Sequence, residues 1–278
     1  MRSRSPAARV RSALLSVVMI ALACLTAVPF YYVLVNTFKP AQEAARSPLG
    51  LPATFHPDNY ADVFDRVPVG QAFANTVLVT AASVVLVLLI GSMASYALVM
   101  RSSRLNVALG RVLLLALLIP FQTTLIPLYQ SFAQVRLVDS RVGLVLLYSG
   151  GAVFCYFLVN GYMRSVPVEI IEAARVDGAG PLRIYAVIVL PLVRPILITV
   201  GVFQTMSIWN DFIVPNVFIS SPEKQTLVLQ VYSAVGQFTT DWPSFLTLTV
   251  IALVPMVVLF VVLQRHVVAG LLAGSVKG

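Results

Sequence analysis

Six apolar stretches constrain this chain more than any other feature. They run roughly over Ala13–Asn36, Ala72–Met100, Val107–Gln130, Val142–Met163, Ile196–Ser220 and Phe245–Gln264. A helix needs about 20 mainly apolar residues to cross a bilayer, and each stretch meets that length. Only 11% of the 278 residues are charged, against about 25% in soluble domains. Continuous apolar runs of this length satisfy their backbone polar groups in lipid as helices. The expectation is an all-α integral membrane protein with six transmembrane helices.

The net charge of +8 could suggest a nucleic-acid partner, but its distribution argues for a membrane. With the N-terminus placed inside, thirteen of the 19 Lys and Arg residues fall in inner segments and six in outer ones. That bias predicts a multi-pass protein with both termini cytoplasmic. Anionic lipid of the inner leaflet is then the counterpart of much of the charge. The Arg-rich start followed by an apolar run imitates a secretory signal, with Ala21-Leu22-Ala23-Cys24 as a poor cleavage site. The run continues to Val35, too long for a signal core, so it reads as an uncleaved first membrane helix. Cys24 and Cys155 both lie inside apolar spans and offer neither a disulfide framework nor metal spacing. His56 and His266 are isolated and read as surface residues. No metal and no cofactor are expected.

The longest polar interruption on the inner side is Glu169–Pro195. It reads as two short helices. The first is predicted over Glu169–Asp177 and stopped by Gly178, which accepts the left-handed conformation common at helix ends. Pro181 opens the second, whose Leu182, Tyr185, Ala186, Val189 and Leu190 fall on one helical face. Pro191 and Pro195 are then expected to bend the chain into the fifth span. An amphipathic helix on lipid headgroups is the plain reading of such periodicity. The exposed groups of the first helix are mixed in sign, however, whereas lipid-surface helices favour Lys and Arg.

Glu172-Ala173-Ala174, Gly178 four residues on, and Ile188-x-Leu190-Pro191 together resemble the EAA loop of ABC importer permeases at full register. The chain is similar to MalG-like permease subunits of carbohydrate ABC importers over nearly its whole length. The resemblance implies the type I importer permease fold, with an ABC transmembrane type-1 domain over 71–264. A first helix and outer loop over 1–70 precede it, and a cytoplasmic tail over 265–278 follows. The EAA loop then spans 167–195. It further implies that Glu169, Glu172, Ala173, Ala174, Asp177, Gly178, Leu190 and Pro191 form a coupling helix docking on an ATPase subunit. The implied partners are a second related permease, two ATP-binding subunits and an extracytoplasmic solute-binding lipoprotein, with no nucleic acid. The implied location is the bacterial cytoplasmic membrane.

Other stretches fit that family in position. Asp58-Asn59-Tyr60 precedes the second span, and Ala94-Ser95-Tyr96-Ala97 ends it with small residues that allow close helix packing. The third span carries Ile119-Pro120-Phe121-Gln122 and Ile126-Pro127-Leu128-Tyr129. Two prolines predict either a broken helix lining protein or water, or a simple kink. The fifth span carries Trp209-Asn210-Asp211 and Pro215-Asn216. An ionisable group within a span costs at least ~2.5 kcal/mol near the bilayer centre, which makes Asp211 a candidate for the translocation path. Trp209, Asn210 and Asn216 join it as candidates, with a packing or capping role as the competing reading. Leu227, Val231, Ala234, Val235 and Phe238 make the stripe of a short helix in the last outer loop. The Gly-rich tail from Gly270 also resembles the family's C-terminus.

The resemblance implies a non-catalytic permease subunit of an ATP-driven, binding-protein-dependent importer for a sugar or oligosaccharide. The alternatives are a glycerol-phosphate or other polar-solute permease of the same fold, or an ion-coupled secondary transporter. The last needs buried ionisable groups and inverted repeats, and only Asp211 offers the former. An intramembrane enzyme would need paired catalytic groups that the sequence lacks. There is no G-x-x-x-x-G-K-[ST] loop, so this chain does not hydrolyse ATP in the P-loop manner.

Overall fold

A computed structural model describes the backbone of residues 6–100, 103–164, 166–234 and 241–275, and side chains for 11–99, 103–164, 166–234 and 241–264. Every regular element among the described residues is helical. In chain order these are α1 (Pro6–Asn36), α2 (Ala41–Arg46), α3 (Asp58–Arg66), α4 (Val69–Met100) and α5 (Arg104–Ala116). There follow α6 (Leu125–Gln134), α7 (Arg141–Tyr148), α8 (Ala152–Met163) and α9 (Val168–Val176). The chain continues with α10 (Pro181–Ile184), α11 (Leu190–Trp209), α12 (Ile213–Phe218), α13 (Leu227–Ala234) and α14 (Trp242–Ser275). Among the described residues five helical stretches are long and apolar enough to cross a membrane, and a sixth forms when α5 and the Phe121–Gln134 segment count as one bent span.

The chain divides into two compact units. The smaller comprises residues 1–67 and 233–253. Its organiser is Asn59, buried on α3, whose side-chain amide donates to the carbonyls of Thr37 (2.8 Å) and Lys39 (3.0 Å). Tyr60 adds a hydroxyl contact to Thr37 at 3.1 Å, and Phe38 stacks on Phe55. The Asp58-Asn59-Tyr60 start of α3 therefore pins the segment that leaves α1. His56 lies 3.3 Å from Asp58 at the surface.

The larger unit comprises residues 68–232 and 254–278. In it α4 is the central post. Gly91 lets α8 approach so closely that an added Cβ would lie 2.5 Å from Cys155 Cβ. Ser95 on the next turn donates to the Tyr156 carbonyl at 3.0 Å. Interhelical hydrogen bonds in membranes average about 0.6 kcal/mol, and the close approach that a small residue permits adds packing to this one. Two clusters flank this post. One joins Val87, Val159, Ile171, Ile184, Val193 and Val200, from α4, α8, α9, α10 and α11. The other joins Val79, Leu144, Ile208, Phe218 and Leu229, from α4, α7, α11, α12 and α13.

The third span takes the broken form of the two that its prolines allow, and the fifth span has bounds other than those of its apolar run. The third span is broken by 95° between Ala116 and Phe121. Pro120 is extended there (φ −60°, ψ 124°) and lacks the N–H that would continue the helix. Pro127 causes no second break, because it sits in the first turn of α6, where the missing N–H has no helical partner anyway. The fifth span starts at Pro181 rather than Ile196 and ends at Trp209 rather than Ser220. A π-helical turn, Tyr185–Val189, lies between α10 and α11, with the Leu190 N–H donating to the Tyr185 carbonyl. This wider turn makes room for the Pro191 ring, so the helix passes through both prolines instead of stopping. The buried face also differs from the predicted stripe. Ile184, Tyr185, Val189 and Val193 face inward, while Leu182 and Ala186 are exposed.

Candidate functional site

The EAA stretch folds as α9, which ends in a complete Schellman motif. Gly178 has φ +78°, its N–H donates to the Arg175 carbonyl (3.0 Å), and the Ala179 N–H donates to the Ala174 carbonyl (2.9 Å). These two bonds satisfy carbonyls that the helix end would otherwise leave unpaired. No atom lies within 4 Å of a Cβ built on Gly178, so its requirement is conformational and not steric.

The two faces of α9 differ. Ile171 and Ala174 are buried in the cluster that also holds Ile184, Tyr185 and Val189. Glu169, Glu172, Ala173 and Asp177 are exposed, and Val176 is 87% exposed. The Ala-Ala pair is therefore split. Ala173 belongs to the outward surface and Ala174 anchors the helix from behind. Leu190 is half-buried and Pro191 exposed at the start of α11. Tyr185 extends the anchor to α4, its hydroxyl 2.8 Å from Ser92 Oγ.

Elsewhere in this unit a cavity of about 730 Å³ opens where three irregularities meet. One is the break after Pro120, which presents Phe121 and Gln122. A second is the 3₁₀ turn Ser149–Gly151 between α7 and α8. The third is the end of α11 with Gln204, Ser207 and Asp211. Irregular backbone at membrane depth is tolerated where it lines a cavity, and all three interruptions do so. Gln204 donates weakly to the Gly151 carbonyl at 3.4 Å.

Asp211 lies just past the end of α11, which closes at Trp209. One carboxylate oxygen accepts from the Tyr148 hydroxyl at 2.8 Å. The other accepts from the Ile213 N–H (2.9 Å) and the Val214 N–H (3.5 Å) at the start of α12. Asp211 thus lines the cavity and caps a helix at once, so the two readings of it are compatible. Trp209 is buried and meets Phe73 edge-on, at 5.8 Å between ring centroids. Asn210 is exposed and bonds back to the Met206 carbonyl, and Asn216 is also exposed. Neither asparagine lines the cavity. Tyr148, Gln204 and Ser207 were not singled out by the sequence reading, and Gln122 entered it only within the Ile119-Pro120-Phe121-Gln122 stretch. An amide side chain within an apolar span was the available signal for both glutamines.

A second polar cluster ties the α6–α7 linker to the segment after α12. Asp139 accepts from the Ser220 and Ser221 N–H groups (3.0 and 2.9 Å), the Ser221 hydroxyl and Lys224 Nζ (2.6 Å). Burial alone would raise its carboxyl. The hydrogen bonds from Lys224 and from Ser221 and Ser220 outweigh that and hold it well below the usual carboxylate range. Near the same end, Asn75 on α4 donates to the Glu223 and Gln225 carbonyls, both at 2.9 Å, and the Leu227 N–H donates to Thr76. The helix expected in the last loop is α13. Leu227 and Ala234 of its predicted stripe are buried and Val231 is half-buried, while Val235 and Phe238 lie outside the described residues. The tail's side chains from Gly270 likewise lie outside them. Among the described residues no group of three His, Cys, Asp or Glu is placed to hold a metal ion.

Comparison with known proteins agrees with this architecture. Residues 87–272 match the family described as binding-protein-dependent transport system inner membrane component. A probable starch degradation products transport system permease, AmyC of Thermoanaerobacterium thermosulfurigenes, is 35% identical over 96% of this chain and 98% of its own. The melibiose/raffinose/stachyose import permease MelC of Bacillus subtilis is 33% identical over 92% and 93%. In fold, the chain superposes with TM-score 0.83 on a chain in the crystal structure of a bacterial ABC transporter involved in import of the acidic polysaccharide alginate. That match covers 95% of this chain and 99% of the other, at 22% identity. This chain belongs to the binding-protein-dependent transport system inner membrane component family and is a multi-pass, non-catalytic permease subunit of an ABC importer.

Proposed function

We propose that this chain is one of two transmembrane subunits of an importer for a sugar or oligosaccharide, with both termini in the bacterial cytoplasm. Its partners are a second related permease, two ATP-binding subunits and an extracytoplasmic solute-binding lipoprotein. The observation that carries the mechanism is the two-faced α9. Its outward side offers Glu172 beside Ala173, a small surface with one charge suited to a cleft on an ATPase subunit. Its inward side is packed with Ile184 and Tyr185, at the base of the helix that runs on to Gln204 and Ser207. Closure of the ATPase pair would move α9 inward, and the packed core would carry that displacement to the cavity. Glu169 and Asp177 flank the docking surface, and Gly178 with Leu190 and Pro191 sets the path from α9 into the span.

The substrate class is supported by the sugar-transport names of relatives that match nearly the whole chain above 30% identity. The ion-coupled alternative has less support, because both oxygens of Asp211 are already engaged by groups of this chain. Proteoliposomes holding the full complex, with the binding protein supplied on the outer side, test the reading. Accumulation of a neutral sugar should require ATP and the binding protein. Accumulation driven by a proton or sodium gradient without ATP would overturn it.

A further inference from the structure

The cavity between the broken third span and α11 has an uneven polarity. Among the described residues lining it, Asp211 alone carries a charge, and no Lys, Arg or His is present. Its other polar side chains are neutral: the Gln122 and Gln204 amides and the Thr124, Tyr148 and Ser207 hydroxyls. Phe121 and Phe154 add aromatic surface. Gly150 also lies on the wall, and a Cβ built there meets nothing within 4 Å. The volume, about 730 Å³, lies in the range of pockets that enclose a small-molecule ligand.

We infer that this cavity is a substrate-contact site of this chain itself, which accepts neutral polyhydroxylated solutes and rejects anionic ones through the Asp211 carboxylate. Amides and hydroxyls donate to and accept from hydroxyl groups equally well, so they suit a glycan whose hydroxyls point several ways. The aromatic rings cover the apolar faces of a sugar without demanding charge. A uronate or phosphate entering the same space would face a carboxylate and no cation. Asp211 cannot turn aside, because Tyr148 holds one oxygen at 2.8 Å and the Ile213 N–H holds the other at 2.9 Å. A fixed charge of the same sign in a partly dehydrated site opposes an anion far more than in water. The inference rests on the sugar reading above and adds which chain selects, and by what charge.

Purified complex without binding protein removes the prior selection that the binding protein imposes. Saturation-transfer NMR would compare raffinose, a neutral trisaccharide, with trigalacturonate, an acidic one. The expected result is a signal from raffinose and at least tenfold weaker binding of trigalacturonate. Gln204→Leu and Gln122→Leu should each weaken raffinose binding about 3- to 10-fold, the effect of losing one neutral hydrogen bond. Asp211→Asn should narrow the preference for raffinose by on the order of tenfold. Because Asp211 also caps α12, Gln204→Lys provides a second route. It places a cation on the same wall without touching the Asp211 contacts, and should favour trigalacturonate. Equal binding of both probes by the native complex would overturn the inference, as would an unchanged ratio in Gln204→Lys. An overturned preference with intact ATP-driven import of neutral sugar would leave the sugar reading standing. Import of a non-sugar solute in place of every neutral sugar would remove both.

Discussion

Replacing Asp139 should separate three contributions that converge on one residue. Its backbone is left-handed, at φ +55°. Its carboxylate gathers four donors from Ser220, Ser221 and Lys224, and its own N–H donates to the Phe218 carbonyl at 2.7 Å. Asp139→Asn keeps a residue that tolerates this conformation and an oxygen for the two N–H groups, but loses the ion pair. Hydrogen bonds to charged groups contribute about 1.5–3 kcal/mol each, and the low end applies to a pair this close to solvent. A loss of about 1–2 kcal/mol is expected for Asn. Asp139→Ala loses every side-chain bond and keeps a left-handed Cβ, a cost of about 1–2 kcal/mol that local hydrogen bonds offset in Asp and not in Ala, for a total near 3–5 kcal/mol. Asp139→Gly loses the bonds without the penalty and should fall between. Thermal unfolding of the purified protein would rank them. The carboxyl of Asp139 lies below its unfolded value of about 3.9. Its contribution is therefore complete above that value and lost only as pH falls through the folded one. The Asp139→Asn deficit should accordingly be constant from pH 5 to 8. Equal stability of the Ala and Gly variants would refute the backbone part, and a deficit that fades between pH 8 and 5 would refute the electrostatic part.

Other expectations follow from single contacts. Gly91→Ala places a Cβ 2.5 Å from Cys155 Cβ and 2.8 Å from the Ala152 carbonyl. It should force α4 and α8 apart, cost about 1–3 kcal/mol, and raise the labelling rate of buried Cys155; unchanged labelling would count against close packing there. Gly178→Asn should be tolerated better than Gly178→Leu, since Asn visits the left-handed region more readily; equal stability and uptake would remove the conformational argument. In intact cells an impermeant thiol reagent should reach cysteine at Glu223 and not at Ala173, and the reverse pattern would invert the proposed topology.

The membrane class and the position of most spans were legible because hydropathy over about 20 residues is a local property. Gly178 was legible for a similar reason, as few residues close a helix in the left-handed conformation. The start of the fifth span was not. Arg183, Pro191, Arg194 and Pro195 interrupt the apolar pattern, and nothing local announces the π turn that carries the helix past the prolines. The cavity was legible in Asp211, whose charge is conspicuous within an apolar run, and in the Pro120 stretch of the third span. Tyr148 lies 63 residues away in sequence, and its meeting with Asp211 depends on how α7 and α11 pack. The split of Ala173 from Ala174 likewise required knowing where Ile184 and Tyr185 lie.

The central claim is that α9 transmits ATPase closure to this chain through Glu172 and its neighbours. The most direct test is the amount of substrate accumulated per ATP hydrolysed, in reconstituted complexes with native chain and with Glu172→Ala. Loss of one partner from a desolvated interfacial pair costs about 2–5 kcal/mol. The variant should therefore release its ATPase subunits or hydrolyse ATP with little accumulation, while ligand binding to the extracytoplasmic protein is unchanged. Accumulation per ATP at the native level, with the ATPase still bound, would contradict the account.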